Sequence, residues 1–143
     1  MTHQEFINKY LKHINWHLED GTLFISEDLD FSRPIFEDLL HIKELPDNLH
    51  ISGWLDIQGT KITKLPENLH IGNMLFIRHS YVNELPDSII FSRLHLWDYI
   101  QETTVKGSEK LQLRLISQDS RFIRYFIKPT KKAKTLHNLL WNL

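Results

Sequence analysis

Apolar positions in the middle of the chain recur at a fixed step of 20 residues. Leu45, Leu65 and Leu85 keep it, as do Pro46, Pro66 and Pro86, then Leu49, Leu69 and Ile89, then Ile51, Ile71 and Phe91. A short alternating segment follows each time. "LDI" at 55–57 returns as "LFI" at 75–77, and the third copy has lost one residue, so its counterpart is "LHL" at 94–96. In such a segment the two apolar residues share one face and the middle residue points the other way, as in a strand. "QGT" or "RHS" then turns the chain. Gly59 suits a tight turn, whereas His79 in the second copy must fit by other means. Ile62 and Val82 point back inward, Pro interrupts any continuing ladder, and "PDN" or "PEN" makes the next turn. One such coil cannot bury its apolar set alone. Stacked coils can, with a parallel strand in each at ~4.8 Å spacing.

The flanks carry other periods. In "HQEFINKYLKHINWHLE", Phe6, Ile7, Tyr10, Leu11, Ile14 and Leu18 form one helical stripe. The spacing predicts a helix over 3–18 with Thr2 as its cap and "EDG" as its end, so residues 1–21 read as an N-terminal capping helix. Within 22–44, "TLFIS" and "LDFS" read as short strands, and Pro34 suits the first turn of a short helix. "LDF" at 29–31 resembles the later "LDI", as a degenerate first repeat with an insertion would. Residues 22–106 thus form the repeat unit and 107–143 a separate segment. There "KLQLRLIS" alternates like a strand and leaves a two-stranded hairpin open. The caps favour helices over 108–118, 120–127 and 131–141, begun by Ser108, Asp119 or Ser120, and Thr130. In the second, Phe122, Ile123, Phe126 and Ile127 fall on one side.

The string "LPDNLHISGWLDIQGTKITKLPENLHIGNMLFI" resembles short bacterial and bacteriophage leucine-rich repeats of the "LPENLxVxGxLxLxGTxIxxLP" type, and more distantly the LPX-type repeats of bacterial effectors. The resemblance spans about residues 43–98. It implies an α/β leucine-rich-repeat solenoid with short parallel strands, whose strand face is the ligand surface. The Asn ladder usual in such repeats is replaced by Gly59-Thr60 and His79-Ser80. "GSEKLQLRLISQDSRFIRYFIKPT" is also similar to short helical repeats of bacterial and phage proteins. The resemblance points to a phage or mobile-element product that binds and inhibits a bacterial host protein, such as a defence nuclease.

Composition narrows the chemistry. With 41% hydrophobic and 24% charged residues, the 143-residue chain suits one compact soluble unit. No apolar run is long enough to span a membrane, and "MTHQEFINKY" lacks a secretory signal pattern, so a cytoplasmic setting is expected. The absence of Cys removes thiolate catalysis and cysteine metal sites, and with them the cysteine-dependent ubiquitin ligase activity of some LPX effectors. The net charge of -1 conceals a basic tail: residues 107–143 hold eight Lys and Arg against Glu109 and Asp119. Glu27, Asp28, Asp30, Glu37 and Asp38 make the N-terminal body acidic.

Candidate functional positions are those that change between repeats. Trp54, Met74 and Arg93 form one outward column, Asp56, Phe76 and His95 a second, and Gln58, Arg78 and Trp97 a third. Trp, Met, Phe and Arg are types enriched at interface cores. The competing arrangement has a terminal helix packed over this face, with Trp54 and Phe76 as ordinary core. Arg121, Arg124, Lys128, Lys131, Lys132 and Lys134, interleaved with Phe and Tyr, suit phosphate contact and base stacking, and make nucleic-acid binding the alternative function. A solvated helix face is the plainer account of them. His13 and His17 sit four apart without the Glu of a metalloprotease motif, and His50 and His70 supply only two ligands, so no metal or other cofactor is expected. No nucleophile motif or glycine-rich phosphate loop is present, and no enzymatic activity is expected.

Overall fold

The computed structural model describes residues 1–32, 42–95 and 104–142, with 94 and 95 as backbone alone. Helix α1 (His3–Tyr10) opens the chain, capped by the Thr2 hydroxyl, which accepts from the Glu5 N–H at 3.1 Å. It ends well before residue 18. Strand β1 (Trp16–Glu19) pairs antiparallel with β2 (Thr22–Ile25). The loop between them is Asp20-Gly21, at φ 50° and 78°. Two successive left-handed residues define the turn that matches the twist of a hairpin, and Asp-Gly is among its preferred pairs. The expected helix over 3–18 is therefore replaced in its second half by a hairpin: "EDG" is a strand reversal, not a helix end.

From β2 onward the strands run parallel. Strands β3 (Leu29–Asp30), β4 (Leu49–Ile51), β5 (Leu55–Asp56), β6 (Leu69–Ile71), β7 (Met74–Phe76) and β8 (Arg93–His95) complete two sheets, ordered β1-β2-β4-β6 and β3-β5-β7-β8. The two full repeats thus contribute two strands each, where one was expected; the extra one is "LHI" after the Asn turn, and in the third copy it shrinks to a single bridge from Ile90 to His70. Leu49 pairs with Leu69 and Leu55 with Leu75, in the 20-residue step. Leu29 pairs with Leu55, 26 positions on. Since Ile42, Ile62 and Val82 keep the step of 20 and are all buried, the six extra positions fall between Phe31 and Ile42. "LDF" is accordingly the first row, as expected. Leu75 pairs with Leu94, so the residue missing from the third copy is absorbed at Ser92. The expected helix beginning at Pro34 and the residues Glu37, Asp38, Leu96 and Trp97 lie outside the described residues.

The core is the space between the two sheets and the inward turns. Leu23, Leu49, Leu69 and Ile89, then Ile25, Ile51, Ile71 and Phe91, then Leu29, Leu55 and Leu75 are buried in columns. Each such side chain contributes about 1.5–3 kcal/mol of transfer free energy. Glycine fits where coils touch: a Cβ on Gly72 would lie 2.3 Å from the Ser52 carbonyl oxygen. The turns repeat as well. Gly59 and His79 take the same left-handed conformation, at φ 75° and 59°. Thr60 is fully buried and its hydroxyl donates to the Ile57 carbonyl at 2.7 Å; Ser80 does the same to Ile77 at 2.6 Å. At the other turn Asn48 and Asn68 are left-handed too, and the Asn68 amide donates to the Asn48 side-chain oxygen at 2.8 Å. A side-chain Asn pair between coils therefore does exist, at the "PDN" turn.

Both ends are covered. At the first, Phe6 and Tyr10 of α1 pack edge-on against Phe31, with ring centroids 6.3 and 5.7 Å apart. At the other, Val105 donates to the Tyr125 carbonyl and accepts from Ile127, each at 2.9 Å, while Leu85 donates to Lys106. Helix α2 (Glu109–Gln118) follows, capped by Ser108, which resolves "KLQLRLIS" as helix and not hairpin. Ser120–Tyr125 forms a 3₁₀ turn capped by Asp119, shorter than the helix expected over 120–127. The bridge to Val105 draws Phe126 into extended conformation and ends it. Phe122 and Phe126 are buried and Ile127 is exposed, so these residues do not share one side. Helix α3 (Lys131–Trp141) is capped by Thr130. Buried Gln112 holds its start, accepting from the Thr130 N–H at 3.0 Å and donating to the Gly107 carbonyl at 3.0 Å. Arg114 donates to the Asp87 and Ile89 carbonyls, and Gln118 to that of Phe91, so α2 ties onto the last coil.

Candidate partner-binding face

The outer side of the β3-β5-β7-β8 sheet carries the variable positions. Parallel register aligns Asp56 with Phe76 and His95, and Met74 with Arg93. Trp54 precedes β5 and is 38% exposed. Its backbone N–H donates to the Asp28 carboxylate at 2.9 Å, and its ring meets Phe76 edge-on with centroids 6.5 Å apart. Met74, Phe76 and Arg78 are half-buried and Arg93 is exposed. Trp54 and Phe76 do not belong to the buried core, so the arrangement with a terminal helix sealing them in does not occur.

Two of the expected contact residues are spent internally. Asp56 lies on the outward side but is only 9% exposed. Its carboxylate accepts from the Gln58 backbone N–H at 3.0 Å and from the Gln58 amide at 3.1 and 3.0 Å. Burial pushes its pKa up, the neighbouring Asp30 charge adds to this, and the hydrogen bonds from Gln58 and Ser32 oppose it. Asp56 and Gln58 thus order the turn; Asp56 offers a partner little accessible surface, whereas Gln58 is half-buried like Met74 and Phe76. Trp97 lies outside the described residues.

The tail reaches this face at one margin. Met74, Ser92 and Arg93 form one wall of a groove of ≈ 440 Å³, and Asp119, Arg121, Phe122, Arg124 and Tyr125 form the other. Arg121 grips Asp119 with two nitrogens, Nη2 to Oδ2 at 2.7 Å and Nε to Oδ1 at 3.0 Å. The Arg121 hydrogen bonds hold the Asp119 carboxyl below its ordinary value. Arg124 sits over the Tyr125 ring, 5.3 Å from its centroid. Lys128, Lys131, Lys132 and Lys134 are exposed and take no part in lining the groove; Lys132 lies 4.0 Å from Glu109. The six basic positions of the tail are therefore not one track.

A second feature was read from the sequence only in part: His50 and His70 were expected in register, but not the row they belong to. On the outer side of the other sheet, His17 stacks on Phe24 at 4.8 Å, Phe24 meets His50 at 5.0 Å, and His50 stacks on His70 at 4.1 Å. Desolvation lowers the His50 pKa, and the His70 charge lowers it further. The signal was present in the paired "LHI" segments, whose middle residues point outward. His17 joins this row from β1, so His13 and His17 are not one helical turn apart. Among the described residues no group of three His, Asp or Glu side chains is arranged to hold a metal ion. Comparison with protein-family models, curated proteins and solved structures finds no match. Among the described residues no helix is long and apolar enough to cross a membrane.

Proposed function

We propose that this chain is a small leucine-rich-repeat-type solenoid that acts as a non-enzymatic protein-binding module. The 20-residue register, carried through strands and turns alike, supports the solenoid reading. The observation that carries the function is the position of Trp54, Met74, Phe76 and Arg93 on the outer side of neighbouring rows, outside the core. Aromatic and Met surface left partly open and bordered by Arg is the composition of an interface centre. The resemblance to phage and bacterial repeats makes a bacterial host protein in the cytoplasm the natural partner, with inhibition as the outcome.

The test is capture from a bacterial lysate on the immobilised chain, read by mass spectrometry, then repeated with Trp54→Ala/Phe76→Ala. The double variant stays folded and its affinity for the captured protein falls at least ~10-fold. Undiminished capture removes the strand face from the interface. Capture dominated by nucleic acid, lost steeply with salt and abolished by Lys131/Lys132/Lys134→Glu, supports the nucleic-acid alternative.

A further inference from the structure

Strand β1 ends its sheet with one edge bare. Its register with β2, and the bond from the Ser26 N–H to the Asn15 carbonyl, set which residues face that edge. In an antiparallel ladder every second residue exchanges both backbone bonds with its partner. Asn15, His17 and Glu19 therefore turn their backbone groups towards β2, and Trp16 and Leu18 turn theirs outward. Among the described residues none of these outward N–H and C=O groups has a protein partner. All of β1 is exposed, Trp16 at 40% and Leu18 at 48%. The two apolar side chains lie on the inner side, opposite the buried Ile25 and Leu23, so they continue the core rows past their covered end. Sheet edges are commonly guarded by Lys, Pro or a bulge. Strand β1 has none of these, and its ionisable side chains are His17 and Glu19, 3.5 Å apart.

We infer that β1 pairs antiparallel with β1 of a second copy of this chain, about a two-fold axis between the two His17 residues. In this register Trp16 of each copy lies opposite Leu18 of the other. Both residues face the edge, so the two pairs exchange four backbone hydrogen bonds and set two Trp–Leu contacts on the inner side. The register with Leu18 opposite itself exchanges only two. Trp16 then meets Asp20, whose left-handed backbone at φ 50° ends the strand. Charge favours a second copy over a strand of one sign. On the outer side Glu19 of each copy lies diagonal to the other copy's His17 and opposite its Asn15 amide. A strand rich in Lys or in Glu would set like charge against His17 or Glu19. The two His17 side chains stand about 4.5–5.5 Å apart at Cβ. The rings of His17, Phe24, His50 and His70 already stack at 4.1–5.0 Å, so the row continues into the second copy. The contact is small, and the dimer is accordingly concentration-dependent. The inference is independent of the strand-face reading, since Trp54 and Phe76 lie on the outer side of the other sheet.

The experiment uses the full chain. Sedimentation velocity between about 10 µM and 1 mM shows one chain passing to two. Trp16→Lys/Leu18→Lys raises the dimer dissociation constant at least ~10-fold. Leu139→Lys, at an exposed apolar residue on α3, leaves it unchanged. Disulfide capture reads the register, since the chain has no Cys of its own. Under mild oxidation His17→Cys crosslinks at least ~10-fold faster than Leu18→Cys, Glu19→Cys or Leu139→Cys, because only the residue on the axis meets itself within disulfide reach. If the Lys pair does not fold, this comparison decides alone. The inference is overturned by a chain that stays single at about 1 mM, by a dimer that the folded Lys pair leaves intact, or by crosslinking at His17 no faster than at Leu139. Fastest crosslinking at Leu18 overturns it in favour of the other register. A chain that stays single, yet captures a lysate protein and loses it with the Lys pair, assigns the edge to a foreign strand and overturns it too.

Discussion

Thr60 offers a direct test of how each coil is locked. Its side chain is fully buried, and its hydroxyl donates to the Ile57 carbonyl at 2.7 Å. The same carbonyl also accepts from the Thr60 backbone N–H at 3.2 Å. Thr60→Val keeps the shape and removes one of these two hydrogen bonds. Because the Ile57 oxygen retains a donor, the loss lies near the middle of the usual range, about 1 kcal/mol, and not at the larger figure for an orphaned buried group. Thr60→Ser keeps both bonds and removes a methyl group, about 1 kcal/mol with its small cavity. Thr60→Ala removes the hydroxyl bond and the methyl group together, keeps the backbone bond, and loses about 2 kcal/mol. Urea unfolding followed by circular dichroism measures all three, with an unchanged denaturant slope showing that stability alone has moved. If Thr60→Val is as stable as the wild type while Thr60→Ser is not, the methyl group and not the hydroxyl locks the turn, and the reasoning fails.

Two further outcomes follow from the same geometry. Gly72→Ala places a Cβ 2.3 Å from the Ser52 carbonyl, so neighbouring coils must separate; a loss of about 1–3 kcal/mol is expected in urea unfolding, and a neutral result would show that the coils are loosely seated. The His50–His70 stack makes stability depend on pH. The His50 pKa is lowered in the folded chain, so the unfolded chain binds more protons as pH falls below its ordinary value of 6.5, and stability declines through that window. His50→Phe, which keeps a ring but cannot be charged, should flatten the thermal midpoint between pH 7.5 and 5.5 relative to the wild type; parallel curves would assign the dependence elsewhere.

The repeat was legible because its cause is local and periodic. A step of 20 in Leu, Ile and Pro marks residues that must meet their own copies, so the columns, the shortened third copy and the degenerate first row could be read from letters alone. The caps Thr2, Ser108, Asp119 and Thr130 were legible for the same reason, since a cap acts within three residues. The hairpin was missed although its signal is equally local. Phe6 to Leu18 fits a helical stripe, and periodicity alone does not separate that from a helix followed by "WHLEDGTLFI", whose Asp-Gly turn reverses the chain. The second strand per coil was missed because three-residue segments carry too little period to announce themselves.

The sequence by itself determined the 20-residue register of the parallel strands and the chemistry of the variable positions, because these depend on side chains one repeat apart. Tertiary structure alone decided which of those positions reach solvent. Asp56 and Trp54 are neighbours in one segment, yet one carboxylate is folded against Gln58 and the other residue's ring stands exposed beside Phe76. It also decided that Arg93 and Arg124 face a common groove, 31 positions apart in the chain. No local pattern encodes that meeting. It follows from Val105 bridging to Phe126 and Arg114 binding the last coil, contacts that exist only once the tail has docked.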